Sequence, residues 1–353
     1  MDLIHPASRA ELASALRGAS ADRRSVQLVG GRTHAGRVDP RRVDAELWTT
    51  QLDRVIAYDA AEMIAVVEAG LRVGEFDRIL REGGQEWPAD APPRATVGGV
   101  IAAGVSSVRR LRVGHVRDTV VEMDLVTGDG RAVRSGARTV KNVTGFDLHR
   151  LATGSFGSLG AIVQVALKVR PLPQARRILV HTGGGGLELG HELLRAVPAP
   201  APILAASDRI ELLLEGWTAE VDELTVAARS VADDLYVLED ESFPARSVDD
   251  APVVVEAAVP PSRMGPLVEG CVDWTALMGV GVVWFKVTSP DDPTLPRIRE
   301  RADAAGGTAR VIRGAGPIGG AGDASLPARE VQHRLKDAFD PAGILAPIPG
   351  DLA

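Results

Sequence analysis

Residues 141–162, Lys-Asn-Val-Thr-Gly-Phe-Asp-Leu-His-Arg-Leu-Ala-Thr-Gly-Ser-Phe-Gly-Ser-Leu-Gly-Ala-Ile, constrain the fold more than any other stretch of this chain. Asn142 is the only asparagine among 353 residues, in a chain that uses Ala, Arg, Gly and Val almost everywhere, so one amide answers a specific geometric need. Gly154, Gly157 and Gly160 recur at every third position and lead into the apolar run 161–169. That spacing describes a backbone which passes close to something and then enters a buried strand. A nucleotide cofactor is the candidate. Asn142 can donate and accept at one point, Gly145 gives backbone freedom, and Asp147 can cap a short helix that follows. A glycine-rich turn ahead of a core strand explains the three glycines but not the preceding Asn-Val-Thr-Gly-Phe-Asp.

Two earlier segments share this character. Val29-Gly30-Gly31-Arg32-Thr33-His34 leaves a short apolar strand and turns. Successive backbone N–H groups can there point into one concavity suited to an anion such as a pyrophosphate, with Thr33 adding a hydroxyl and Arg32 or His34 a charge. Taken alone, an ordinary surface Gly-Gly turn is the plainer explanation. Thr96-Val97-Gly98-Gly99 with Gly104 reads as a short helix pressed on a ligand or on a sheet, and the residues alone leave both open.

The length suggests two domains with sizeable cores. A net charge of −7 argues against a general nucleic-acid binder, which needs a basic face. The single cysteine, Cys271, excludes internal disulfides and thiolate metal clusters and fits a reducing compartment. No stretch reads as a signal peptide or as a bilayer span, so a cytoplasmic protein is expected, with attachment to a membrane through a partner left open. The seven histidines, His5, His34, His115, His149, His181, His191 and His333, contain no His-x-His pair.

Along the chain, Ser8 to Glu11 reads as a capping box before a helix with Leu12 and Leu16 on one face. Strands are expected at 25–29, 54–57 and 63–68, a helix at 73–81, and a hairpin of 120–127 with 131–134 around Gly128-Asp129-Gly130. Arg170-Pro171-Leu172-Pro173 marks a domain boundary. Beyond it, strands at 177–181, 203–206, 209–214, 253–258 and 280–287 alternate with helices at 187–197, 218–234, 263–269 and 296–304. That rhythm suggests an antiparallel sheet with helices on one face. A last helix at 328–339 leads into Asp340-Pro341-Ala342-Gly343-Ile344-Leu345. Gly279-Val280-Gly281-Val282 is half of a dinucleotide fingerprint inside an apolar run, and reads as strand.

The segments named above resemble a known family in order and spacing. Arg94 to Gly99, Val116-Arg117-Asp118, Val126 to Gly130, Lys141 to Asp147 and Gly154 to Gly160 are similar to the FAD-binding domain of the vanillyl-alcohol-oxidase and p-cresol-methylhydroxylase (PCMH) type. Within it they resemble the branch of glycolate oxidase FAD-binding subunits, and Leu335 to Ile344 resembles that branch's ending. The likeness is strong over 25–173 and near 335–345. It implies an α+β, two-domain PCMH-type FAD-binding fold, with residues 1–173 cradling FAD and 174–353 forming a smaller antiparallel-sheet and helix cap whose C-terminal segment returns to the flavin.

The same resemblance implies site roles. Gly30, Gly31, Arg32, Thr33 and His34 would hold the FAD pyrophosphate. Thr96, Gly98, Gly99, Ala102 and Gly104 would lie along the cofactor, with Asn142 and Gly145 beside it. Gly157, Gly160 and the Ile162 backbone would sit near pyrophosphate, ribose and adenine, and Trp87-Pro88 would run near the flavin ring. Relatives that attach FAD covalently use a His where this chain has Thr33, which implies noncovalent FAD. The family's usual Asn-Pro-Gly ending is here Ala346-Pro347-Ile348, which implies a lost polar contact. Lack of a His-x-His cluster argues against a metal-assisted hydroxy-acid site in this chain.

These implications give a function: an FAD subunit of a glycolate-oxidase-like complex that oxidises 2-hydroxy acids to 2-oxo acids, beside a larger flavoprotein and an iron–sulfur subunit. A free-standing FAD-dependent alcohol oxidase or dehydrogenase, and a non-catalytic assembly subunit, remain alternatives. No catalytic base is named with conviction. His333 on the last helix could accept a hydroxyl proton, but an exposed helix histidine is the plainer reading. Arg109, Arg110, Arg112, His115 and Arg117 could meet a carboxylate, but a solvated loop in an Arg-rich chain is plainer. Cys271 reads as an inert small residue.

Overall fold

The computed structural model describes residues 1–33, 43–138, 146–198, 200–238, 243, 251–289, 291–314 and 326–348. The chain divides into two compact units. The first comprises Met1–Ser107, Gly114–Leu172 and Asp323–Ala353, and the second Val108–Val113 and Pro173–Gly322.

The first unit contains two main sheets. Asp2–Ile4 and Val26–Val29 flank Ala45–Trp48 in a three-stranded parallel sheet. The connecting helix Arg9–Ala21 begins where Ser8 accepts from the Glu11 N–H, and the Glu11 carboxylate reaches back to Ala7 rather than to Ser8 itself. Leu12 and Leu16 are fully buried against Val26, Leu47, Val126 and Val163. The second sheet is antiparallel, in the order Val55–Asp59, Ile64–Glu68, Ala161–Lys168, Val120–Val126, Ala132–Gly136. Its middle strand is apolar almost throughout because it is covered on both faces. Phe76 and Leu80 of helix Val73–Glu82 and Val97, Val100 and Ile101 of helix Val97–Ala103 supply one of those covers. The expected boundary at 170–173 is also a small pairing: Arg170–Pro171 meets Gln85–Glu86.

The second unit is an eight-stranded antiparallel sheet. Its order is Tyr236–Leu238, Ala175–Thr182, Arg209–Gly216, Ile203–Ala206, Trp274–Leu277, Val282–Val287, Val253–Ala258, Thr308–Arg313. Alternation sorts the side chains. Leu179, Leu212, Val255 and Phe285 face helices Gly186–Ala196, Thr218–Arg229, Met264–Val268 and Thr294–Ala304, while Leu204, Val254, Leu277 and Trp284 face the other way.

Several elements depart from expectation. Trp274–Leu277 and Val282–Val287 pair across a tight turn in which Gly279 and Gly281 take φ of 74° and 81°. Residues 280–281 are therefore turn, and the strand begins at Val282. Strands Asp2–Ile4, Ala45–Trp48, Trp274–Leu277 and Thr308–Arg313 are too short or too polar to announce themselves, and neighbours in the sheet complete them. Helix Thr218–Arg229 stops short of 234, and Asp234 lies 3.0 Å from His181 Nδ1. No helix among the described residues is long and apolar enough to cross a membrane.

Candidate functional site

Three segments of the first unit close on one another. Strand Val26–Val29 ends at Gly30-Gly31, and Thr96 caps helix Val97–Ala103 beside them. A Cβ on Gly30 would stand 2.2 Å from Thr96 Oγ1, and one on Gly31 would stand 2.2 Å from the Arg94 carbonyl oxygen. Backbone meets backbone here, so any side chain at 31 forces the loops apart. At the helix's other end Gly104 takes φ 67° and abuts the Gly154 backbone. The Gly154 and Phe156 N–H groups then donate to the Ile101 and Ala102 carbonyls at 3.0 and 2.8 Å. Gly157 returns to the side chain of Leu28, 3.2 Å from where its Cβ would be. The ring 28–32, 94–104 and 154–157 includes two non-glycine residues in the left-handed region, Arg32 (φ 51°) and Phe156 (φ 54°). Such conformations cost energy and persist where surrounding structure fixes them.

The donors of this ring separate into two groups. The first amides of helix Val97–Ala103 are spent inside the protein: Val97 on Leu71 O at 2.9 Å, Gly98 on Ala69 O at 2.7 Å, and Gly99 on Thr96 Oγ1 at 3.2 Å. The N–H groups of Gly30, Gly31 and buried Gly157 have no acceptor among the described residues. A buried amide needs a partner, and adjacent amides in a concavity suit a phosphate oxygen. These three groups fit the pyrophosphate of FAD.

The other expected residues are placed as follows. The Arg32 guanidinium is turned away, paired with Glu46 and 4.8 Å over the Trp48 ring, so the loop contributes amides there rather than a free charge. Thr33 is half-buried at the end of the described loop. Gly98 is needed for packing, since a Cβ would lie 2.6 Å from Ala69 Cβ. Gly160 and Ile162 stand apart, in the sheet: Ile162 pairs with Leu125, and a Cβ on Gly160 would strike the Val126 carbonyl. Pro88 is buried, and the neighbouring Trp87 ring is fixed in the core by its Nε1–H bond to Thr119 Oγ1 (3.0 Å) and by Phe76. His34, Asn142 and Gly145 lie outside the described residues.

Two further expectations change, at Asp147 and Arg109. Asp147 precedes helix Leu148–Ala152, but its side chain makes no capping bond and lies 3.8 Å from Arg150 Nε. Asp118 does that work at the earlier helix Val116–Thr119, accepting from the His115 N–H at 3.1 Å, and it also accepts from Arg150 at 2.9 Å. Arg109 is not in a solvated loop: it is buried in the second unit and bonded to Glu215 at 3.2 and 3.3 Å. The Ala346 carbonyl accepts from Lys336 Nζ at 2.9 Å. His333 is exposed on the last helix. Glu46, the partner of Arg32, carried no sequence signal, because its role depends on a parallel neighbour strand.

Residues 3–136 match the family described as FAD binding domain. The chain thus carries an FAD-binding domain over those residues. The chain is 28% identical over 302 residues to glycolate oxidase subunit GlcE of Escherichia coli (strain K12), covering 83% of each chain. It is 35% identical over 123 residues to the mitochondrial D-lactate dehydrogenase (cytochrome) of Arabidopsis thaliana, which is 35% of this chain and 22% of that one. It is 29% identical over 131 residues to glycolate oxidase subunit GlcD of Bacillus subtilis (strain 168), 36% of this chain and 28% of that one. The chain therefore spans only about a quarter of those last two relatives. Two structures of alkyldihydroxyacetonephosphate synthase share the fold, with TM-scores of 0.69 and 0.71 at 16% identity, over 98% of this chain and 75% and 76% of theirs. FAD is the cofactor, and when bound it supplies the two-electron acceptor.

Proposed function

We propose that this FAD-dependent oxidoreductase is the FAD-binding subunit of a glycolate-oxidase-like complex that oxidises a 2-hydroxy acid to a 2-oxo acid. The observation that carries the reading is coverage: the match to GlcE runs over 83% of both chains, whereas the D-lactate dehydrogenase and GlcD matches take in about a third of this chain. The amides of Gly30, Gly31 and Gly157 hold the pyrophosphate, helix Val97–Ala103 lies along the cofactor, and Ala102 and Gly104 shape its end. FAD is held noncovalently, in keeping with Thr33 at the position where a covalent link would need a histidine. A larger flavoprotein holds the substrate, and an iron–sulfur subunit takes the electrons. The complex works in the cytoplasm or at the inner face of a membrane through its partners.

The test is steady-state glycolate oxidation with a dye acceptor, by the chain alone and by the chain copurified with those two partners. Turnover only in the complex is expected, together with yellow flavin that passes into the supernatant after acid precipitation. Full-rate glycolate oxidation by the lone chain would overturn the subunit reading.

A further inference from the structure

The C-terminal helix Leu326–Phe339 carries an ammonium that is almost enclosed. The Lys336 side chain is 12% exposed, and its Nζ lies 2.6 Å from Asp340 Oδ2, 2.9 Å from Ser158 O, 2.9 Å from Ala346 O and 3.4 Å from Leu345 O. An ammonium has three N–H groups, so all of its donors are engaged. Ser158 follows Gly157 directly, and its carbonyl therefore ties to the C-terminal tail one residue from an amide of the glycine ring that has no acceptor among the described residues.

The tail is itself fixed through Asp340. That carboxylate is fully buried and accepts from the Ile344 and Leu345 N–H groups at 3.1 and 2.8 Å. Its approach depends on Gly128, where a Cβ would stand 2.3 Å from Asp340 Oδ1. The Ile344 carbonyl in turn accepts from the Val26 N–H at 2.7 Å, at the start of the strand that ends in Gly30-Gly31. The loops that carry Gly30, Gly31 and Gly157 thus both hang from one short stretch of tail.

Apolar packing alone could hold such a tail, since Ile344 and Leu345 are already buried. Enclosing a cation instead is costly, and burial pushes the Lys336 ammonium below its ordinary value against the pull of Asp340. What the cation adds is geometry: one point donates to oxygens on three separate segments.

We propose that Lys336 is a positioning residue for FAD, holding loop 154–160 against the C-terminal tail so that the Gly157 N–H faces the pyrophosphate. The inference rests on the assignment of FAD to the glycine ring. Lys336→Met alone leaves Asp340 as an unpaired buried charge and endangers folding. The double variant K336M/D340N removes both charges while leaving a side-chain oxygen for the tail amides. Apo-protein is titrated with FAD by fluorescence quenching, and amide hydrogen exchange is followed over 154–160.

The double variant is expected to keep the exchange protection of the sheet, lose protection in 154–160 and bind FAD about tenfold or more weakly. Lys336→Arg, which keeps a donor cation, should recover most of the affinity. A double variant that binds FAD as tightly as the wild type, with 154–160 equally protected, overturns the role of Lys336. So does a loss of protection spread evenly over the whole unit, which would mean simple destabilisation. A wild-type chain that takes up no FAD would instead sink the cofactor assignment itself.

Discussion

Gly31 is the residue whose identity is most tightly held at the site. A Cβ there meets the Arg94 carbonyl oxygen at 2.2 Å and Ala95 Cα at 2.8 Å, and neither is the end of a flexible side chain. Gly31→Ala should therefore displace the loop and cost about 1–3 kcal/mol of stability by overpacking. It should also weaken FAD binding, which fluorescence titration of the apo-protein reads directly. His149 gives a pH prediction at the same scale. Burial lowers its pKa, outweighing the opposing pull of Asp147, and its Nδ1 lies 3.0 Å from Ser135 Oγ. The unfolded chain takes up a proton near the ordinary histidine value of about 6.5 that the folded chain still refuses. Stability contributed by neutral His149 is thus present above that pH and is lost as pH falls from there to the lowered folded value. Urea midpoints between neutral pH and about pH 5 should fall, and His149→Gln should flatten this part of the profile. An unchanged slope in the variant would show that other groups carry it.

Helix Val97–Ala103 is legible in the sequence as an element, but not in the partners that its amides take. Its existence follows from Thr96 as cap and from Gly104, whose φ of 67° ends it. Its glycines invite a reading as ligand contacts, yet the Gly98 amide belongs to Ala69 and the Gly99 amide to Thr96. The element serves the site through its ends, where Thr96 touches the Gly30 loop and Ala102 holds Phe156. Thr96→Ala should cost about 1 kcal/mol in urea denaturation through loss of the cap, and Thr96→Ser should restore most of it. The hairpin at 279–281 carries the same lesson: paired glycines in an apolar run suggested strand, but they are the turn that lets Trp274–Leu277 pair with Val282–Val287.

For the molecule as a whole, the division of the chain differs from a single cut near residue 173. Val108–Val113 joins the second unit although the chain on both sides of it belongs to the first. Val108 packs with Leu204, Val254, Leu277 and Trp284, and Arg109 shares the buried Glu215 carboxylate with Arg176. A fragment of residues 173–322 lacks both contributions. It should be markedly less stable than the same unit in the full chain, as read by thermal unfolding. In the full chain, Arg109→Met should cost about 1–3 kcal/mol, because Glu215 stays buried with one cation fewer. A fragment as stable as the unit in the intact protein would show that Val108–Val113 is dispensable.

The sequence by itself determined what depends on neighbours along the chain. Caps at Ser8 and Thr96, the hairpin around Gly128-Asp129-Gly130, the period-two strands and the glycines that let backbones approach all leave local marks. The FAD-binding fold was indicated by a resemblance to a known family, carried by segments such as 94–99, 126–130 and 154–160. Only the tertiary structure decided which atoms answer one another across the fold. It gave Arg32 to Glu46, spent the amides of Gly98 and Gly99 inside the protein, and left those of Gly30, Gly31 and Gly157 without an acceptor among the described residues. It also tied Ser158 to Lys336, 178 residues away. Hydrogen-bond satisfaction and close packing are pairwise between segments distant in sequence, and no local pattern encodes the partner.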